Sequence, residues 1–514
     1  MPALGTLSLV LVIPIVGAVL LLLMPRRQTR ALFTIALLAS SLDFLWSLNI
    51  LNQFDGSRGE MQLVERLPWM PGFGIGYIVG IDGISLFLVL LTTLLMPLAI
   101  LASWSVKERV KEYLFFMLVL ETGMVGVFVA LDLFLFYVFW EVTLVPMYFL
   151  IGVWGGPRRI YAALKFVVYT MAGSLLMLVA IIYLATRHAE TAQTLTFNLL
   201  QIYDLHLPFN EQAWLFSAFA LSFAIKVPVF PLHTWLPDAH VEAPTAGSVI
   251  LAGILLKLGT YGFLRFAMPL FPDVALAAAP FFIILAVVGI IYGAVVAMMQ
   301  PDIKKLVAYS SVSHLGFVML GLFALNMQGI QGSIYQMLNH GLSTGALFLL
   351  VGMIYDRRHT RLIDDFGGLW KPLPIFSALL LFVTFSSIGL PGLNGFVGEF
   401  LILLGSFTVT PRWAAAAATG VILGAIYMLW MYRRVIFGPL TNPENQKLRD
   451  LNGREILILA PIVLLIVLMG IYPQPFLNRM SASVDLTLKR VLTTPTAPVV
   501  DKQTAATEDE PDGR

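Results

Sequence analysis

Apolar residues run in blocks of about 20 along most of the chain, separated by short polar stretches, and blocks of that length are what a hydrocarbon core roughly 30 Å thick demands of spanning helices. Fourteen spans are predicted, near residues 4–24, 31–51, 81–104, 113–131, 133–154, 160–185, 213–232, 247–268, 278–299, 303–324, 330–354, 374–404, 411–432 and 455–472. The fold class is therefore an all-α polytopic membrane protein. The twelfth span is long and interrupted. The seventh is followed by a proline-rich segment within residues 224–262, "AIKVPVFPLHTWLPDAHVEAPTAGSVILAGILLKLGTYG". Residues 53–80 mix Gly, Pro and aromatics and predict a short hairpin outside the membrane. The end, "TTPTAPVVDKQTAATEDEPDGR", has the composition of a disordered tail.

Charge sets the orientation. Loops after odd-numbered spans hold 19 Lys and Arg residues, whereas the opposite side holds only Arg58, Arg66, Arg187, Arg265 and Arg412 before the tail. The positive-inside rule then places odd loops in the cytoplasm and both termini outside. The first apolar run, with charges after it and none before, reads as a span that stays and not as a signal peptide.

Spacing suggests an internal repeat. The seventh span breaks around Pro228 and the twelfth around Pro391, in "IGLPGLNG", an offset of 163 that also carries Glu141 onto Lys304. Two five-helix units follow, spans 4–8 and 9–13, inverted because each has an odd number of crossings. The organisation expected is three N-terminal spans (1–112) with the outside loop 53–80, a first repeat (113–268), a second inverted repeat (278–432), a linker with the last span (433–475) and a C-terminal tail (476–514).

Composition narrows the chemistry. With 58% hydrophobic and 12% charged residues, the chain lacks the roughly one-quarter charged surface of a soluble domain. It has no cysteine, which excludes thiolate-ligated iron–sulfur clusters and disulfides within it. No Gly-rich nucleotide fingerprint follows a predicted strand. No basic block points to nucleic acid.

The titratable residues inside the spans carry the functional signal, because a charge at mid-membrane costs roughly 2.5–3.5 kcal/mol on insertion scales. Glu121 and Glu141 lie in spans four and five, Lys226 precedes the break at Pro228 in span seven by two residues, Lys257 is central in span eight, His314 and His340 are central in spans ten and eleven, and Glu399 follows the second break. For each glutamate the bland alternative is a protonated carboxyl bonded to a neighbouring helix; for the lysines, and for Lys165 especially, it is snorkelling; for the histidines, a satisfied buried ring. Together they make a series of groups able to exchange protons across a bilayer. His233 and His240 are seven apart but lack a third ligand, so they do not read as a metal site.

The stretch "HTWLPDAHVEAPTAGSVILAGILLKLGTYG", with "FWEVTLVPMYFLIGVWG", "DIKKLVAYSSVSHLGFV", "LNHGLSTGALFLLVGMIYDR" and "GLPGLNGFVGEFLIL", resembles the antiporter-like membrane subunits of respiratory complex I, the proton-translocating NADH:quinone oxidoreductase. Its wording is most similar to the chain M, or subunit 4, type. The resemblance implies fourteen helices, two inverted five-helix repeats and discontinuous helices seven and twelve. It also implies that Glu141 and Lys226 are a coupled pair, Lys257 a central relay, His314 and His340 its continuation, and Glu399 the exit. Glu399 agrees with chain M, since chains L and N have lysine there.

By the same resemblance the chain needs no cofactor or metal of its own, NADH, FMN, iron–sulfur clusters and quinone belonging to other subunits. Its partners would be chain L and chain N type subunits and the lipid of a bacterial inner membrane. Two transporter alternatives share the fold, a subunit of a multisubunit sodium/proton antiporter and a hydrogenase-linked ion pump. A membrane scaffold with inert buried charges is the non-transporting one.

Overall fold

The computed structural model describes residues 5–493. Among these, twelve helices are long and apolar enough to cross a membrane. The two other predicted spans are each built from pieces: Phe209–Lys226 and Trp235–Glu242 for span seven, Pro374–Ser387 and Asn394–Val409 for span twelve. Spans eight and eleven, Thr245–Leu270 and Met327–Arg358, are buried all round, and span ten, Ile303–Phe323, nearly so. Spans one, two, six, nine, thirteen and fourteen keep large apolar residues exposed, as lipid-facing helices do. A helix that is apolar on every face belongs in the interior, so the central helices are also the ones that can hold charge away from lipid.

Both breaks satisfy their backbone locally, as irregular backbone at membrane depth must. Pro228 offers no amide proton, so the Ala224 carbonyl is taken instead by the Val229 amide at 2.8 Å. The Ile225 carbonyl left over accepts the Trp235 indole N–H at 2.8 Å. The freed groups near Lys226 are thus closed by protein. Pro237 falls in the first turn of Trp235–Glu242, where a missing donor is harmless. In span twelve the gap turns through Gly389 and Gly392, at φ +73° and +92°, and the Ser386 hydroxyl crosses it to Asn394 Oδ1 at 2.6 Å.

Two helix starts show the repeat more directly than the breaks do. Asp132 caps span five through the amides of Phe134 and Leu135 and bridges Asn198. Asp302 caps span ten through Lys304 and Lys305 and bridges Leu362. Five crossings separate them, so they lie on opposite faces, as inversion requires. This register pairs Asp132 with Asp302 and brings Glu141 onto Ser311, correcting the match to Lys304 suggested by the break spacing.

The hairpin is present: Gln62–Met70 pairs antiparallel with Ile75–Ile81. Its Glu65 carboxylate accepts the Leu7 amide at 2.8 Å, placing a negative group on the unpaired N–H groups that begin span one. Three sequence-based placements change. Residues 476–492, expected to open a tail, lie in the helix Gln474–Leu492, which packs Met480 and Val484 inward and whose Ser483 Oγ accepts a hydrogen bond from the Gly83 amide at 2.9 Å. Arg265, counted as an outer loop charge, is buried in span eight. Lys304, counted as a cytoplasmic loop charge, is also buried, with Nζ 2.5 Å from the Ala243 carbonyl. The tail expected to be disordered, from residue 494 on, lies outside the described residues.

Asp132→Ala and Asp302→Ala should each lower stability by about 1–2 kcal/mol, the worth of an N-cap, with Asn retaining most of it. Thermal unfolding of the purified protein checks this.

Candidate functional site

The site begins on span eight, which is not a regular helix. Leu251–Leu255 and Phe263–Ala267 are π-helical turns on either side of Leu256–Gly262, a widening often found where a helix serves function. Lys257, with no exposed surface, stands between them. Its ammonium reaches back to the Ala252 carbonyl and donates to His340 Nδ1 at 2.6 Å. With Lys257 as the donor, Nδ1 accepts and a neutral His340 carries its proton on Nε2.

From His340 the line continues. The His340 and His314 rings are 5.8 Å apart and border a small cavity together with Ser343, Ser386 and Ser387. His314 Nδ1 lies 3.1 Å from Glu399 Oε1, and the same oxygen accepts Gln336 Nε2 at 3.1 Å. Gly389, one turn residue of the break, leaves room for that carboxylate; a Cβ there would come within 2.9 Å of Glu399 Oε2. Four of the six predicted residues, Lys257, His340, His314 and Glu399, therefore form one chain, in that order, from four different spans.

The other two stand apart from it. Lys226 is buried, with Nζ 5.3 Å from the Trp140 ring centre and 5.5 Å from that of Phe166. Among the described residues it makes no ion pair with Glu141, which is half-buried and has one carboxyl oxygen sealed without a donor. Lys226 is held by ring faces. The span carrying Lys257 packs closely on the end of span seven: a Cβ on Gly259 would lie 2.7 Å from the Phe223 carbonyl. The two lysines are carried on segments that pack together and are not bonded to each other.

Several partners escaped the sequence reading. Gln336, Asn339 and Asn394 tie Glu399 to span eleven, with Asn339 Nδ2 2.8 Å from the Asn394 carbonyl; neutral amides carry no membrane-charge penalty conspicuous enough to mark them. His240, set aside as a metal ligand, is buried with its ring stacked 4.5 Å from Phe348 and neither nitrogen bonded. Glu121 faces Asp43 of span two carboxyl to carboxyl, and no amide, hydroxyl or cation of the described residues reaches their four oxygens. Lys165 does not snorkel; it pairs with Asp238 at 2.7 Å. On the face that begins span ten, a cavity is walled by Tyr113, Trp154, Glu242, Lys304, Asp356 and Arg361.

Comparisons with known proteins bear on this arrangement. The family model described as "NADH:quinone oxidoreductase/Mrp antiporter, TM" matches residues 130–425, and that of "NADH-ubiquinone oxidoreductase chain 4, amino terminus" matches 9–127. The NADH-quinone oxidoreductase subunit M of Rhodobacter capsulatus is 49% identical over 479 residues, 91% of this chain and 93% of that one. The chain belongs to the family of NADH-quinone oxidoreductase subunit M and chain 4 proteins. The chain 4 of Arabidopsis thaliana is 48% identical, covering 93% of this chain and 96% of its own.

Respiratory complex I of Thermus thermophilus contains a chain that superposes with TM-score 0.86 at 34% identity, over 94% of this chain and 99% of that one. The Mrp complex of Dietzia, at 23% identity and TM-score 0.80 over 93% of this chain and 52% of that one, shares the fold. The chain is thus an antiporter-like, multi-pass membrane subunit of the complex I membrane arm. The alternative of a multisubunit antiporter subunit has only a likeness of fold behind it, whereas the complex I relatives match over nearly the whole chain.

His340→Ala should leave the Lys257 ammonium one acceptor short and lower stability by about 1–3 kcal/mol. Lys257→Met in the same background should recover at least part of that loss, a coupling read from a double-mutant cycle in thermal unfolding of the intact complex.

Proposed function

We propose that this subunit translocates protons from the cytoplasm to the outside, driven by redox chemistry in other subunits. The observation that carries the reading is the buried series Lys257, His340, His314 and Glu399, hydrogen-bonded at its two ends and joined through two imidazole rings 5.8 Å apart. Each member can take and release a proton, and each lies next to the one that follows. Glu141 and Lys226 act before it: an ionised Glu141 close to Lys226 holds that lysine protonated, and separation sends the proton to Lys257. The proton then crosses by His340 and His314 and leaves by Glu399. The cavity at Lys304 and Glu242 suits the cytoplasmic end, consistent with the charge bias of the odd loops.

Each proton moved outward against 100 mV requires about 2.3 kcal/mol. The chain offers no redox group for this, so the oxidation of NADH elsewhere in the complex supplies it. The same reading places both termini on the outer side of a bacterial inner membrane, chain L and chain N type subunits beside it, and the repeats at 113–268 and 278–432. Sodium/proton exchange, the function suggested by the Mrp neighbour, rests on fold alone.

In membrane vesicles the wild-type complex should acidify its outer side on NADH addition, without sodium. Sodium-dependent exchange in the absence of NADH would overturn the proposal. Lys257→Ala should cut proton pumping about tenfold or more, the scale of losing a positioned proton carrier, in a complex that still assembles. Unchanged pumping would remove Lys257 from the route.

A further inference from the structure

Span eight carries a second set of buried charges, one that the proton route does not use. Lys257, Tyr261 and Arg265 recur every four residues and so share a helix face, with Arg265 about 12 Å beyond Lys257 toward the outer end at 1.5 Å per residue. Both members of the Arg265–Asp82 ion pair are sealed, at 4% and 2% side-chain exposure, with 2.5 Å between Nη2 and Oδ1. Arg265 Nε donates to the Tyr261 hydroxyl at 3.1 Å, and that hydroxyl donates to the Phe128 carbonyl at 2.9 Å. Tyr203 closes the far side, donating to the Arg265 carbonyl at 2.6 Å, and its ring lies 4.4 Å beneath the Arg490 guanidinium of the C-terminal helix.

A buried ion pair is poor material for stability alone, because apolar residues of the same volume usually hold a helix joint as well or better. The chemistry of this one suggests a different use. A guanidinium keeps its charge at any pH the cell meets and has no acceptor for a proton. Asp82 is no free base either: Oδ1 already accepts the amides of Ile84 and Ser85 and the Ser85 hydroxyl besides Arg265. Going outward from Lys257, the bonded order is Tyr261, then Arg265, then Asp82, so the positive group is met before the negative one. The Lys257 ammonium itself points the other way, back toward Ala252.

We propose that Arg265, fixed by Tyr261 and Asp82, is an electrostatic seal on the outer end of span eight. It prevents a proton on Lys257 from leaving directly to the outside or returning from it, and so obliges transfer sideways to His340. Fixed positive charge excludes protons from other membrane pores in the same manner. The proposal rests on the proton-translocating reading above.

The test uses the whole complex in proteoliposomes, recording passive proton conductance under an imposed potential without NADH, and then NADH-driven acidification. Arg265→Gln keeps hydrogen bonding to both neighbours and removes the charge; it should raise passive conductance about tenfold while NADH oxidation continues. Arg265→Lys should stay tight. Lys257→Met added to Arg265→Gln should close the leak again, which a merely loosened joint would not do. Tyr261→Phe removes one oxygen and should leak roughly threefold, giving a second reading where Arg265→Gln assembles poorly. Wild-type conductance in both variants would overturn the seal; a wild-type complex that pumps no protons would instead overturn the translocation reading, whatever the leak.

Discussion

The structure turns on one requirement: an ammonium group must be kept in the middle of a membrane protein with no exposed surface. A lone charge there would be prohibitive, and even a hydrogen-bonded one has to be met by groups already in place. Lys257 is met by a carbonyl from the π turn of its own helix and by a ring nitrogen of span eleven. Spans eight and eleven are accordingly the helices buried all round. The lipid-facing helices encircle them, so the need to shield one lysine and its neighbours accounts for which spans are central and which are peripheral.

The two broken spans answer the same need in different ways. Span seven ends in Lys226 and closes its loose carbonyls with Trp235 and Val229, leaving the ammonium against ring faces. Span twelve closes its gap with Ser386 and Asn394 and sets Glu399 where both His314 and Gln336 reach it. A broken helix costs backbone hydrogen bonds at a depth where water cannot replace them. That both breaks are stitched by nearby side chains shows how discontinuity is sustained beside charge without flooding the interior.

Much of this was legible in the sequence. Apolar run length located every helix that crosses alone, because the membrane fixes that length independently of partners. The isolated charges marked spans that the structure brings together in its interior, since each one violates the hydrophobic rule and stands out. What was not legible depended on neighbours distant in sequence. Arg265 and Lys304 look like loop charges until Asp82 and the Ala243 carbonyl are folded against them. Asp43 and Glu121 come from spans two and four. The order His340 before His314 reverses their order in the chain, and only helix packing could supply it. The helix at 474–492 has a mean hydropathy too low for a span, and its apolar face shows only at helical periodicity.

The contrast between the two lysines bears on where the cycle is free to move. Lys257 makes two charge-assisted bonds, and moving its ammonium breaks both. Lys226 is held by cation–π contacts, worth roughly 0.5–2 kcal/mol each, and Glu141 lies beyond ion-pair range. An element that switches needs two arrangements of similar energy, and the loosely held lysine at the end of a broken helix meets that condition where the tightly bonded one does not. On the proposed route, motion belongs to the Glu141–Lys226 side, and the series from Lys257 to Glu399 would serve as a fixed conductor. A conductor without moving parts needs closed ends to keep direction, and on span eight the proposed seal of Arg265, Tyr261 and Asp82 would be that closed end.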